Sequence, residues 1–250
     1  FVAAILICEL AGWLMSRKEP DNKEFYAHEG LVLAALAWFV LPLFGAIPFL
    51  MSGAISNPID AYFESVSGFT TTGASVLSST MHALPESLLF WRSFTLLIGG
   101  MGMLVFIIHI IPNFGAKSVY IMRAELPGPV FGKVESRVSS SIKILYFIYL
   151  SMTLILALLI YLGGVPFFES LLLSMGAAAT GGFNIHPDSI GFYNSTYLEI
   201  LLSVAMFIFG MSFDFFYLIF VGKLKQVLKS EELKWYVSIV IISTALITIN

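Results

Sequence analysis

The chain has 250 residues, 58% of them hydrophobic and 12% charged, and its mean hydropathy is +0.90. Soluble domains carry about 25% charged residues, so the composition excludes an ordinary soluble enzyme and indicates an all-α polytopic membrane protein. The formal net charge of -3 says nothing about nucleic acid, because in a membrane chain the placement of charges matters more than their sum.

In chain order, residues 1–25 read as the end of a transmembrane helix and a cytoplasmic link, with Ser16-Arg17-Lys18-Glu19-Pro20 as the stop. The one cysteine, Cys8, lies in that apolar run, cannot pair within the chain and reads as core or lipid-facing filler. The next unit, 26–112, opens with a span over 31–51, in which Pro42 and Pro48 predict kinks. Asn57 is a good N-cap, Pro58 suits the first helical position and Asp60 sits in the first turn, so a helix begins there and ends near Gly68. At about 1.5 Å per residue it crosses only about half of the ~30 Å hydrocarbon layer. The chain must then turn back. Non-helical backbone at membrane depth persists only where it is buried in protein or lines a wet cavity, so the loop from Thr70 through Thr71, Thr72, Gly73 and Ala74 to Ser75 reads as lining one. After a polar connection at 78–84, Pro85 and Glu86 open a long helix to about Ile111, interrupted by Gly99-Gly100-Met101-Gly102 and stopped by Pro112.

Residues 113–140 are charged and contain Pro127-Gly128-Pro129, which places them outside the membrane as a link. The unit 141–222 then repeats the plan: a span at 142–162, a turn at Gly163-Gly164-Val165-Pro166, a short apolar helix over 166–178, the loop Ala179-Thr180-Gly181-Gly182-Phe183-Asn184-Ile185-His186, and a span at 197–221. Residues 223–250 hold a further link and the first helix of a third unit, at 235–249. A shift of 109 positions carries Asp60 to Glu169, Ser65 to Ser174, Thr71 to Thr180 and Gly73 to Gly182. Each unit is therefore expected to be outer helix, re-entrant short helix, extended loop and inner helix.

Charge orients this plan. Every Lys and Arg except Arg92 lies in or beside alternate links, which the positive-inside rule makes cytoplasmic. The glycine-rich loops then face outside, where Asp60, Glu64, Glu86, Glu169, Asp188 and Glu199 are expected to form an acidic vestibule that attracts cations. Arg92 is expected to snorkel to the outer interface.

A bare alkali ion is stable only where oxygens replace its hydration shell, and the carbonyls of an extended loop do this without a full charge. Glycine at Gly73 and Gly182 supplies the backbone freedom, while Thr71, Thr72, Thr180 and Gly181 allow close approach. The short helices aim their partly negative C-terminal ends inward, which favours cations and rejects anions. Gly99, Gly100 and Gly102 are candidates for a hinge or for close helix packing, the commoner cause. Asp214, near the inner end of its span, is a candidate gate or a solvated group.

Several stretches resemble the Trk branch of the Trk/Ktr/HKT potassium transporters: Ser67-Gly68-Phe69-Thr70-Thr71-Thr72-Gly73-Ala74, Phe90-Trp91-Arg92, Gly99-Gly100-Met101-Gly102, Arg123-Ala124-Glu125-Leu126-Pro127-Gly128-Pro129 and Ala179-Thr180-Gly181-Gly182-Phe183. The resemblance covers essentially the whole chain in order. It implies four helix-loop-helix units around one potassium path, with Thr71, Thr72, Gly73, Thr180, Gly181 and Gly182 as filter residues. Gly73 matches the potassium-selective choice, where some sodium-selective plant relatives carry serine. The resemblance also implies potassium as the ion carried with no organic cofactor in this chain, a homodimer, and a cytoplasmic ring of TrkA-like nucleotide-binding regulatory subunits. It places the protein in the plasma membrane of a prokaryote, the inner membrane if Gram-negative. Only two complete units and the start of a third are present, so the chain is expected to be the N-terminal part of a longer one.

Enzyme chemistry finds no support. Gly100-Met101-Gly102 lacks the third glycine of a dinucleotide loop, Ser140 and Lys143 have no partner motif, and His28, His82, His109 and His186 lack metal-ligand spacing. A reading from another class stays open: a secondary transporter of a small organic solute, with broken helices facing the substrate. That reading expects a solute-sized cavity lined by side chains.

Overall fold

The computed structural model describes residues 1–17, 27–77, 84–102, 138–220 and 222–249, with backbone alone for 15, 27–31, 138–143 and 213–214. The connection at 78–83, most of the link at 113–140 and the expected stop at Pro112 lie outside the described residues. Among the described residues every regular element is helical: α1 (Val2–Ser16), α2 (Ala27–Gly45), α3 (Ile47–Met51), α4 (Pro58–Phe69), α5 (Glu86–Gly100), α6 (Val138–Leu162), α7 (Phe167–Ala178), a 3-10 turn at Ser189–Tyr193, α8 (Thr196–Phe209), α9 (Phe213–Phe220), α10 (Leu224–Lys229) and α11 (Glu231–Ile249). Among the described residues, three runs are long and apolar enough to cross a membrane: Val32–Met51, Ile144–Leu162 and Glu231–Ile249.

The short helices match the sequence pattern closely. The Asn57 side chain accepts a hydrogen bond from the Ile59 amide at 3.0 Å, Pro58 occupies the first turn, and Asp60 complements the helix dipole. Helices α4 and α7 each have 12 residues, about 18 Å of rise, which is too short to span the hydrocarbon layer. Both of their ends are offset by the same 109 positions that relate Thr71 to Thr180. Helix α4 packs on α2, α3 and α5, and α7 packs on α5, α6 and α8, so α5 touches both short helices and joins the units.

One core forms around Tyr149, Ile160, Leu173 and Leu198, and a second around Phe49, Ala61 and Leu88. Hydrocarbon solvent gives helices no hydrophobic reason to associate, so close backbone approach and interhelical hydrogen bonds must do it. Glycines mark these approaches. A Cβ at Gly99 would stand 2.1 Å from the Phe69 carbonyl oxygen, and one at Gly100 would stand 2.9 Å from the Ala179 Cα. Trp91 donates its indole N–H across to the Gly45 carbonyl at 3.0 Å. Large apolar side chains on α1 and α11, including Ile5, Leu6, Leu10, Ile241 and Leu246, lie exposed, and Cys8 is exposed among them.

Two expected spans differ in detail. The span at 31–51 is broken at Ala46, with Pro42 inside α2 and Pro48 in the first turn of α3. The span expected as one helix at 197–221 is split between α8 and α9. At the split, the Tyr236 hydroxyl donates to the Phe207 carbonyl at 2.9 Å, while the Met211 amide bonds to Ile208 instead. The shift to an i→i-3 bond tightens and ends the helix there. Helix α5 closes in a similar way. The Tyr149 hydroxyl donates to the Leu97 carbonyl at 3.3 Å, and Gly102 follows in the left-handed region at φ 77°.

Gly99→Ala is expected to destabilise the full-length protein by about 1–3 kcal/mol, the cost of overpacking against backbone that cannot move aside. Gly12→Ala, in an exposed helical position with nothing within 4 Å, is expected to leave stability unchanged or slightly raised. Thermal unfolding in detergent checks both.

Candidate functional site

The turn after each short helix has one conformation, built twice. Thr71 and Thr180 have φ of 55° and 53°, and Gly73 and Gly182 have φ of 75° and 74°. These left-handed values are costly for threonine and free for glycine. The hydrogen bonds repeat as well. The Thr71 amide donates to Gly68 at 3.0 Å, and the Thr180 amide donates to Ala177 at 3.0 Å. The Ser67 carbonyl accepts from Thr72 at 2.9 Å and Gly73 at 3.4 Å; the Gly176 carbonyl accepts from Gly181 at 3.1 Å and Gly182 at 3.2 Å. These bonds satisfy the last helical carbonyls and hold each loop under its own helix.

The two loops lie against each other. A Cβ on Gly73 would stand 1.6 Å from the Gly181 carbonyl oxygen, and a Cβ on Gly181 would stand 3.0 Å from the Thr71 carbonyl oxygen. Backbone therefore meets backbone with no room for a side chain. Gly99 presses on the same region, with its hypothetical Cβ 3.1 Å from the Thr71 methyl, while Gly100 faces Ala179. Gly182 differs, since a Cβ there meets nothing within 4 Å. Thr72 is exposed, with its hydroxyl 2.8 Å from that of Thr70; Thr180 and Gly182 are exposed as well. Thus Thr71, Gly73 and Gly181 are brought together, Gly99 and Gly100 back the loops, and Gly102 ends α5. The Asp214 side chain lies outside the described residues.

The loops are braced from behind by groups that the sequence reading missed. The Ser67 hydroxyl donates to the Ala74 carbonyl at 2.6 Å. Where Ser67 stands in the first unit, the second has Gly176, whose Cβ would lie 3.0 Å from the Phe183 carbonyl oxygen. Arg92 does not snorkel. It is buried on α5, its Nε donates to the buried Glu64 carboxylate, and its Nη1 donates to the Asn184 carbonyl at 2.8 Å. Desolvation decides this: a guanidinium held inside a helical packing needs an anion and acceptors nearby, and both are in reach. Glu64 accordingly drops out of the expected acidic vestibule. Glu86, Asp188 and Glu199 remain exposed, and Asp60 is half-buried. An ionisable residue in each of two apolar segments was the available signal, because such residues pair with one another.

Beyond the second loop, Glu169 accepts a hydrogen bond from the Tyr193 hydroxyl at 2.6 Å and lies 3.4 Å from His186 Nε2. His186 stacks on Phe192 with ring centroids 3.5 Å apart. Burial first, and then the hydrogen bond and charge of Glu169, raise the Tyr193 phenol above its ordinary range, so it stays a neutral donor.

Comparison with known proteins agrees with this architecture. The family model described as TrkH, a cation transport protein, matches residues 1–246. The Trk system potassium uptake protein TrkH of Halomonas elongata is 37% identical over 217 residues, covering 86% of this chain and 45% of that protein. TrkH of Escherichia coli K12 is 33% identical over 242 residues, covering 96% of this chain and 49% of its own length. The crystal structure of the potassium transporter TrkH from Vibrio parahaemolyticus superposes with a TM-score of 0.70 at 28% identity, covering 88% of this chain and 44% of that one. The chain thus spans about half the length of the relatives it matches. With its paired short helices and matching loops, it belongs to the TrkH family of cation transport proteins.

Proposed function

We propose that this chain supplies two of the loops that form a potassium-selective path across the membrane, as part of a Trk-type uptake system. The observation that carries the reading is the pair of loops at Thr71 to Gly73 and Thr180 to Gly182, alike in backbone angles and hydrogen bonds and packed directly together. The relatives named as potassium uptake proteins support the choice of ion.

The physical mechanism follows from dehydration. In an extended strand, successive carbonyls alternate in direction. Left-handed residues at 71 and 73, and again at 180 and 182, with Thr72 and Gly181 between them outside that region, turn neighbouring peptide groups toward one side. Carbonyl dipoles held this way replace the water around an alkali ion without a fixed charge that would hold it too tightly to leave. The C-terminal ends of α4 and α7 add a partly negative field at the same depth, which excludes anions. The basic links are cytoplasmic and the loops open to the outside, with the chain in the plasma membrane of a prokaryote. Assembly as a homodimer with a cytoplasmic nucleotide-binding regulatory subunit belongs to the same proposal. Secondary transport of an organic solute is disfavoured, because the loops meet through backbone and not around a cavity lined by side chains.

Serine at Gly73 would collide with the Gly181 carbonyl and take on left-handed strain, whereas serine at Gly182 meets only the strain. In the full-length protein, Gly73→Ser is expected to abolish potassium-selective uptake. Gly182→Ser is expected to reach the membrane at normal levels with weakened discrimination, for a strain of about 1–3 kcal/mol. Rubidium uptake with competing potassium, sodium or organic solutes is the measurement; wild-type selectivity in both variants would refute the reading.

A further inference from the structure

We propose that Glu64 and Arg92 are positioning residues that fix the spacing of the two loops and thereby set which cation the path accepts, an inference that rests on the ion-path reading above. Glu64, only 1% exposed, grips the far end of the first loop. Its carboxylate accepts from the Ser75 hydroxyl at 2.9 and 3.0 Å and from the Val76 amide at 3.0 Å, just beyond Gly73. Arg92, 3% exposed, grips the far end of the second. Its Nη1 donates to the Asn184 carbonyl at 2.8 Å, and its guanidinium carbon lies 3.7 Å from the centre of the Phe183 ring, just beyond Gly182. The Arg92 Nε bond to Glu64 joins the two grips. A continuous polar chain therefore runs from Ser75 through Glu64 and Arg92 to Asn184, behind both loops.

The backbone at the second grip is itself fixed. The Asn184 side-chain oxygen accepts from the Ile185 amide at 2.6 Å and the His186 amide at 3.2 Å. A planar guanidinium reaches two acceptors at a set angle, which a lysine ammonium does not do.

Stability alone does not require this pair. Buried ion pairs are often replaceable by apolar side chains of similar volume at little cost. In the second unit, the positions 109 residues on carry Leu173 and Leu201. What the pair adds is a directed link between two loops, and small changes in carbonyl spacing alter how well a given ion's hydration shell is replaced.

The test uses the full-length protein in liposomes, with rubidium uptake measured against potassium and sodium competition and with protein per vesicle quantified. Ser75→Ala removes the side-chain part of the grip on the first loop and leaves the Val76 amide bond and the ion pair intact. The double variant Glu64→Leu with Arg92→Leu copies the second unit's leucines and leaves no charge unpaired. Each is expected to insert and to take up rubidium, with sodium competing about fivefold better than in the wild type, the scale of one net hydrogen bond. Wild-type discrimination in Ser75→Ala, or in an inserted double variant, overturns the proposal; if the double variant does not insert, Ser75→Ala decides. Absence of rubidium uptake by the wild type itself overturns the ion-path reading and the proposal with it.

Discussion

The structure depends on one close approach, that of the Gly73 backbone to the carbonyl of Gly181. Two strips of main chain meet there with no side chain between them, so the local geometry is set by peptide groups alone. Everything nearby serves that contact. Gly99 and Gly100 let α5 sit close beneath both loops, Leu96 is fully buried in a small cluster with Ala179 and Phe183, and Thr95 faces Gly68. A packing of this kind is stiff, because backbone cannot change rotamer to relieve a misfit.

Membrane solvent explains why the chain takes this form. Peptide groups facing hydrocarbon must be bonded internally, and the loops meet the requirement with bonds to their own helix ends and with the Ser67 hydroxyl. The same pressure shapes the helix termini, where tyrosine hydroxyls from α6 and α11 take carbonyls at the ends of α5 and α8. Interruptions in the apolar runs are thus paired with specific donors.

Much of this was legible in the sequence because its signals are local. Asn57 and Pro58 mark a helix start in any setting, and a loop of threonine and glycine recurring after 109 positions marks a repeat. The charges of the links carry the expected sidedness without any tertiary information. The split between α8 and α9 was not legible, since Gly210 alone does not break a helix and the donor that completes the break, Tyr236, comes from another element. Arg92 was misread for a related reason. Its partner Glu64 lies 28 positions earlier on a different helix, and the outer acidic residues made Glu64 look like one more solvated carboxylate. Tyr193 and His186 around Glu169 were also invisible, because their meeting depends on a 3-10 turn with no strong sequence signature.

The burial of Glu64 and Arg92 also constrains how the gene can drift. Changing either codon alone strands the remaining charge in a dry interior, at about 3–5 kcal/mol, a large fraction of the margin by which most proteins stay folded. Descent from the charged form to the leucine form of the other unit therefore has to cross a valley, or pass through both substitutions at once. The pair behaves as a ratchet in sequence space: with two buried charges that depend on each other, random single changes would rarely lead away from it.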